Sequence, residues 1–248
     1  MREARIAGLV LALMFPALPM PGEVLPEDRH RRIEANVAFV VHHELAHVLI
    51  DRMALPLPGR EEDAADSLGV ILTERFRNES EAAAIMLAAA ATFAGLADGA
   101  DAGAAAFQAA HALDRQRQFN ILCLHYGAAP AARVPVADAG GLPAARRASC
   151  PAETARAHAF WAPALARLRP GDGRRIWLRL RVIEAPVAPG QRVLLRALRD
   201  ELRAVNRKFD PGFRLIVTFA RCGEANAYYD PEEGTVTFCA ELVRLFGR

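Results

Sequence analysis

The sequence has no C-x-x-C pair and no basic stripe, and its N-terminal apolar run is too short for a comfortable membrane span; each shortage weighs against a class of function. Without C-x-x-C, a cysteine-built metal site is not expected. Lys and Arg number 31 against 29 Asp and Glu, a formal net charge of +2, and the arginine pairs are scattered. That pattern describes a solvated surface, so no nucleic-acid partner is expected. The N-terminal apolar run, Ile6 to Leu18, follows the basic start Met1-Arg2-Glu3-Ala4-Arg5 and ends at Pro19-Met20-Pro21-Gly22. At about a dozen residues it is short for a span and suited to a secretory signal peptide over residues 1–22, although no clear A-x-A cleavage site follows. An uncleaved membrane anchor ranks second and a buried helix third. The alanine-rich stretch Ser80–Ala97 is bounded by Glu79, Glu81 and Asp98 and is slightly short, so it is expected as a packed core helix. No stable membrane span is expected beyond the N-terminal signal.

What is present is concentrated in Val41-His42-His43-Glu44-Leu45-Ala46-His47-Val48-Leu49-Ile50. His43-Glu44-x-x-His47 is the H-E-x-x-H signature of zinc hydrolases. On a helix, positions i and i+4 share a face, so His43 and His47 can reach one metal. Glu44 lies beside that face, where it can hold a water as general base rather than bind the metal itself. The apolar flanks predict a buried helix, and a buried helix does not carry two histidines and a glutamate on one side without partners for them.

Downstream, Gly59-Arg60-Glu61-Glu62-Asp63-Ala64-Ala65-Asp66 places Glu62 and Asp66 again at i and i+4. A two-histidine zinc site needs a third, anionic ligand, and a ligating histidine needs a carboxylate on its other ring nitrogen. Glu62 and Asp66 meet those two needs. The chain between them can close: Ala54 to Gly59 breaks the first helix and, extended, spans up to about 20 Å, enough to bring Glu62 beside His47. The bland reading, a solvated acidic helix start, accounts for Glu61-Glu62-Asp63 but not for H-E-x-x-H.

The pair H-H-E-L-A-H-V-L-I and G-R-E-E-D-A-A-D resembles the bacterial "putative metallopeptidase" domain family, tightly over residues 36–77 and more loosely beyond. The order H-E-x-x-H then E-x-x-x-D is also similar to the gluzincins, the thermolysin-like zinc peptidases. The resemblance implies one Zn2+ per chain held by His43, His47 and Glu62, with Glu44 as general base and Asp66 supporting a ligand. Gln118 to Gly127 is similar to a segment that follows the metal site in the family.

The periodicities predict a metal helix over 28–54, its partner over 61–77, a helix over 104–126 carrying Phe107, His111 and Phe119, a loop over 128–143, and a helix from Cys150 to Arg169 stopped by Pro170-Gly171. The last third changes character. Arg175–Ile183 and Leu215–Ala220 read as strands, Gln191–Phe209 as an amphipathic helix, and Asp230–Gly234 as a turn between strands. The fold class expected is therefore helix-rich α+β, zincin-like, with a small hairpin or sheet near the C-terminus. Residues 23–248 are expected as one metallopeptidase unit, with a second small domain as the alternative.

Cys123, Cys150, Cys222 and Cys239 permit three pairings. Order and spacing favour Cys123–Cys150 and Cys222–Cys239, the second needing a bulge or longer loop because the simplest hairpin register does not bring its cysteines opposite. Disulfides behind a signal peptide fit a secreted or periplasmic protein; buried free thiols are the alternative. Asn226-Ala227-Tyr228-Tyr229-Asp230 resembles the N-A-F-W-type edge strand of thermolysin-like enzymes. The resemblance implies that Asn226, Ala227 and Tyr228 bind extended peptide by strand addition. In the family a similar hairpin precedes the metal helix; here it follows, and a chain permutation would restore the contact. An ordinary structural hairpin is the alternative.

Candidates for stabilising an oxyanion are His158, His125, Tyr228 and Tyr229, while His42 should face away from His43. The expected function is zinc-dependent hydrolysis of peptide bonds in a peptide or protein substrate. Two alternatives stand beside it: a zinc-stabilised binding or assembly protein without turnover, and a zinc hydrolase acting on another bond.

Overall fold

The apolar stretch on both sides of His43-Glu44 folds as one 26-residue helix, Glu27–Arg52 (α1), with Glu27 and Asp28 in its first turn and Arg52 in its last, each on the side that the helix dipole favours. The structure is a computed structural model that describes residues 27–57, 59–99, 111–171 and 175–246. The expected signal peptide lies outside the described residues. From Ile33 to Ile50 the buried positions of α1 run round the whole helix, as they must for one packed on every side. Its C-terminus closes with Leu55 N–H donating to the Ile50 carbonyl and Ala54 N–H to that of Asp51. Ala54 stands in the left-handed region, at φ 48°.

The second helix, Glu61–Phe76 (α2), returns along α1. Gly69 lets the backbones approach: a Cβ there would stand 3.4 Å from the His43 backbone nitrogen. Helix α3, Glu79–Gly99, packs Ala82, Ile85, Met86, Ala89 and Ala90 inward. It is the alanine-rich stretch expected as a core helix, but only one face of it is buried. It is long and apolar enough by composition to cross a membrane, and a third of its most apolar window is buried. Helices α4 (Asp114–Ala128), α5 (Pro130–Ala139), α6 (Ala144–Arg147) and α7 (Cys150–Ala166) complete the helical half. Two expectations are corrected here. The helix expected over 104–126 begins at Asp114, with residues 104–110 outside the described set, and the loop expected over 128–143 contains α5.

The last third holds the strands. A two-residue strand, Arg169–Pro170 (β1), pairs antiparallel with Phe209–Asp210 (β3). Leu178–Val182 (β2) leads through the helix Pro189–Lys208 (α8) to Leu215–Ala220 (β4), followed by Ala227–Asp230 (β5) and Thr235–Cys239 (β6). The sheet order is β2-β4-β6-β5; β2, β4 and β6 run parallel, and β5 is the antiparallel edge strand. A turn of 3₁₀ helix, Ala240–Leu242, and a short helix, Val243–Phe246 (α9), end the described chain.

One apolar core joins the halves: Val41, Leu45 and Leu49 of α1, Leu68 and Leu72 of α2, Leu194 and Leu198 of α8, and Val217, Phe219, Val236 and Phe238 of the sheet belong to one cluster. The buried amide of Asn206 stitches α8 to the sheet, accepting from the backbone N–H groups of Trp177 and Leu178 and donating to the Leu178 carbonyl. The fold is helix-rich α+β with its sheet near the C-terminus, as expected.

Candidate metal centre

Because α1 presents His43 and His47 on one face and α2 returns beside it, three donor atoms meet. The Nε2 atoms of His43 and His47 are 3.2 Å apart, and each is 3.4 Å from Glu62 Oε2. Around a tetrahedral zinc with bonds of about 2.0–2.1 Å, neighbouring ligand atoms stand roughly 3.3–3.4 Å apart. The chemistry of the set, two imidazoles and one carboxylate, and its spacing both fit a single divalent metal. His43, His47 and Glu62 form a group that can hold a metal ion.

The other ring nitrogens are occupied. His43 Nδ1 lies 2.9 Å from Asp66 Oδ1, and both Asp66 oxygens accept from Arg117, at 2.8 Å each. His47 Nδ1 lies 2.8 Å from Glu61 Oε1. These partners fix ring orientation and tautomer. Burial alone would push the Asp66 carboxyl up, but hydrogen bonds from Arg117 and His43 outweigh it and hold Asp66 at about 2. Burial alone would lower His43; hydrogen bonds to Asp66 and Glu62 instead raise it to about 10. Glu62, which burial would raise, is held low by His111, His43 and His47. The pocket thus stabilises positive charge at the point where the three donors meet.

Glu44 is 4 % exposed, and burial raises its carboxyl above the usual range against the pull of His43 and His47. Its Oε2 is buried and has no hydrogen-bond partner among the described residues. It lines, with His43, His47 and Glu62, a cavity of about 630 Å³ that Asn226–Tyr229 also line. The edge strand expected to contact an extended peptide therefore shares a cavity with the H-E-x-x-H residues, despite following them in the chain.

The candidates for polarising a substrate carbonyl separate. His125 and His158 are not at the cavity: His125 Nδ1 is 3.0 Å from Glu74 Oε1 and His158 Nε2 is 3.8 Å from Glu74 Oε2. Both cavity tyrosines are on β5. Tyr228 is half exposed, whereas Tyr229 donates to Asp51 at 2.6 Å and accepts from Arg52 at 3.2 Å, tying β5 to the end of α1. His42 does face away, with Nδ1 2.7 Å from Thr73 Oγ1 and Nε2 3.0 Å from Glu201 Oε1.

Three residues at the site were not anticipated as such. Glu61 stands one position from a predicted ligand. Arg117 comes from α4. His111 lies 2.8 Å from Glu62 Oε2 and lines the cavity. The sequence carries no signal that brings residues 111 and 117 to α2, because the approach is made by the tertiary packing of α4 and the segment before it.

Both disulfides form in the favoured pairing, Cys123–Cys150 and Cys222–Cys239. The second is not made by the β5–β6 hairpin. Cys239 pairs in register with Ala220 of the parallel neighbour β4, and Cys222 follows two residues later. The Cys239 N–H donates to the Asn226 carbonyl, and Glu241 accepts from the backbone of Cys222 and Gly223. This fastening holds the segment that presents Asn226 to the cavity.

The family described as "putative metallopeptidase" matches residues 21–165. The chain belongs to that family. The match takes in every residue of the metal-binding group and Glu44, and it ends before the sheet that supplies Asn226–Tyr229. No curated protein and no solved structure matches the chain.

Proposed function

We propose that this member of the "putative metallopeptidase" family is a zinc-dependent peptidase. One observation carries the reading: three donor atoms stand at tetrahedral-edge spacing beside a buried carboxylate oxygen that has no other partner. A purely structural zinc site is ordinarily closed by four protein ligands and needs no base. Here the described donors number three, and Glu44 is beside them.

His43, His47 and Glu62 would hold the metal, with Asp66 and Glu61 orienting the two rings. A bound zinc supplies Lewis-acid chemistry, polarising a carbonyl and making water acidic near neutral pH. Glu44 takes a proton from the attacking water at Oε2 and delivers it to the leaving amine. Of the donors that line the cavity, His111 and Tyr228 are the ones we assign to the substrate carbonyl oxygen. The edge strand β5, which starts at Ala227 directly after Asn226, pairs with an extended peptide through main-chain groups. The two disulfides support a secreted or periplasmic location.

The test is Glu44→Gln, which keeps the size and removes the base. It should bind one zinc per chain as the wild type does and lose roughly 10²–10⁴-fold or more of chelator-sensitive peptide cleavage. Cleavage retained at the wild-type rate in a zinc-loaded Glu44→Gln protein would overturn the assigned role.

A further inference from the structure

Helix α8, Pro189–Lys208, keeps two faces apart. Val193, Leu194, Leu198, Leu202 and Val205 are buried in the core. Arg192, Arg196, Arg199, Arg203 and Arg207 are exposed and recur at steps of three and four residues. At 1.5 Å per residue they run about 22 Å along one side of the helix. No basic stripe is expected from the order of the residues, because the arginines lie apart in the chain. The helix period brings them into line, and α8 corrects that expectation.

Little neutralises this stripe. Glu201 of the same helix is turned inward and buried, paired with Arg77 and 3.0 Å from His42 Nε2. Asp200 is the one exposed acid of α8, and it pairs with Arg203 at 3.2 Å. Arg196, Arg199 and Arg207 have no ion-pair partner among the described residues. The net charge of the whole chain is only +2, so the stripe is a local concentration of charge rather than a share of a basic surface.

Large aliphatic side chains stand exposed where the stripe begins. In the connection from β2 into α8, Ile183 is 55 % and Val187 68 % exposed. Arg192 donates to the Val187 carbonyl at 3.2 Å, which holds the valine beside the first arginine. A nucleic acid would engage the arginines and leave these aliphatic groups in water. A second copy of the helix would oppose like charges. A bilayer with anionic phospholipids uses both features: guanidinium groups bind headgroup phosphates, and aliphatic side chains enter the interface.

We propose that α8 is the face by which this protein docks on a membrane surface carrying anionic phospholipid headgroups. No residue of α8 lines the metal cavity, so the docking face and that cavity are separate surfaces. The proposal stands independently of the peptidase reading.

The experiment is co-sedimentation of the full chain with large unilamellar vesicles, either pure phosphatidylcholine or equal parts phosphatidylcholine and phosphatidylglycerol. Binding should be stronger to the anionic vesicles, and the margin should shrink as salt is raised. A basic residue near such a surface is worth roughly fivefold in binding. Arg196→Gln combined with Arg199→Gln should therefore weaken binding to the anionic vesicles about 30-fold. Val187→Ser, which changes no charge, should weaken it as well. All three positions are exposed, so the variants should melt with the wild type. The apolar N-terminal run is common to every protein compared, so the differences report on α8. Equal binding of the wild type and the double-arginine variant to anionic vesicles would overturn the proposal. So would binding to a DNA duplex, lost in the double-arginine variant, by a protein that ignores both kinds of vesicle. Val187→Ser binding at the wild-type level would overturn the part given to the aliphatic side chains.

Discussion

Asp66 shows how much of this site depends on a side chain that does not touch the metal position. It accepts from His43 Nδ1 at 2.9 Å and from Arg117 through both oxygens. Asp66 thereby favours a proton on Nδ1 and turns Nε2 toward the point where the three donors meet. Asp66→Asn keeps the shape but offers an amide that can present either end to the ring, and it leaves Arg117 facing a neutral partner. Zinc affinity, measured by competition with a chelating dye, should fall about 10- to 100-fold, with the purified fold retained by circular dichroism. Unchanged affinity would mean that the ring is oriented by packing alone. The residues of this inner set were legible in the sequence because the helix period places i and i+4 together without knowledge of the fold. His111 and Arg117 were not. Each reaches Glu62 or Asp66 from about fifty residues away through tertiary packing, and no local periodicity records such an approach.

Among the elements, α1 was readable to within a few residues because its apolar flanks, acidic start and basic end agree with one another. Helix α5 was not, because its Ala-, Pro- and Gly-rich segment reads locally as a loop. Its helicity is held from outside: Pro130 opens it, where the missing N–H costs nothing. The buried guanidinium of Arg133 then ties it to Glu79 through two hydrogen bonds, to Glu74, and to the His125 carbonyl. Tertiary ion pairing overrides local preference there. The end of α1 carries a local conflict of the opposite kind. Ala54 occupies the left-handed position that closes the helix, a conformation that costs an L-residue about 1–2 kcal/mol and glycine almost nothing. Ala54→Gly should therefore stabilise the protein by roughly 0.5–1 kcal/mol, after the extra freedom glycine gains in the unfolded chain is deducted. In thermal melts this is a rise in Tm of about 1–4 °C. A lower Tm would show that the helix end is set by packing of Leu55 and Leu57 rather than by the cap.

For the whole molecule, the centre sits where the two halves of the chain meet. The metal helix shares one apolar cluster with α2, α8 and the sheet. The sheet's pairing was the least legible feature: β2, β4 and β6 run parallel through long connections, whereas the sequence suggested only the local hairpin of β5 and β6. Long-range register leaves no local trace, and for the same reason the route to the Cys222–Cys239 bond was misjudged although its pairing was not. This architecture makes metal binding a stability term for the entire fold. His43 and His47 come from α1 and Glu62 from α2, so an ion held by all three crosslinks the two central helices and binds only the folded chain. At a free zinc concentration about 100 times the dissociation constant, linkage adds about 2.7 kcal/mol. For a chain of this size that is a Tm roughly 5–10 °C higher than after chelation. His43→Ala removes one ligand and should abolish the chelator-dependent part of the shift, whatever else it does to the baseline Tm. Glu44→Gln should keep that part, because Glu44 is not among the three donors. Calorimetric scans of the three proteins with and without chelator separate the roles. A chelator-dependent shift that survives in His43→Ala would place the ion elsewhere, and a shift lost in Glu44→Gln would make Glu44 a ligand rather than a base.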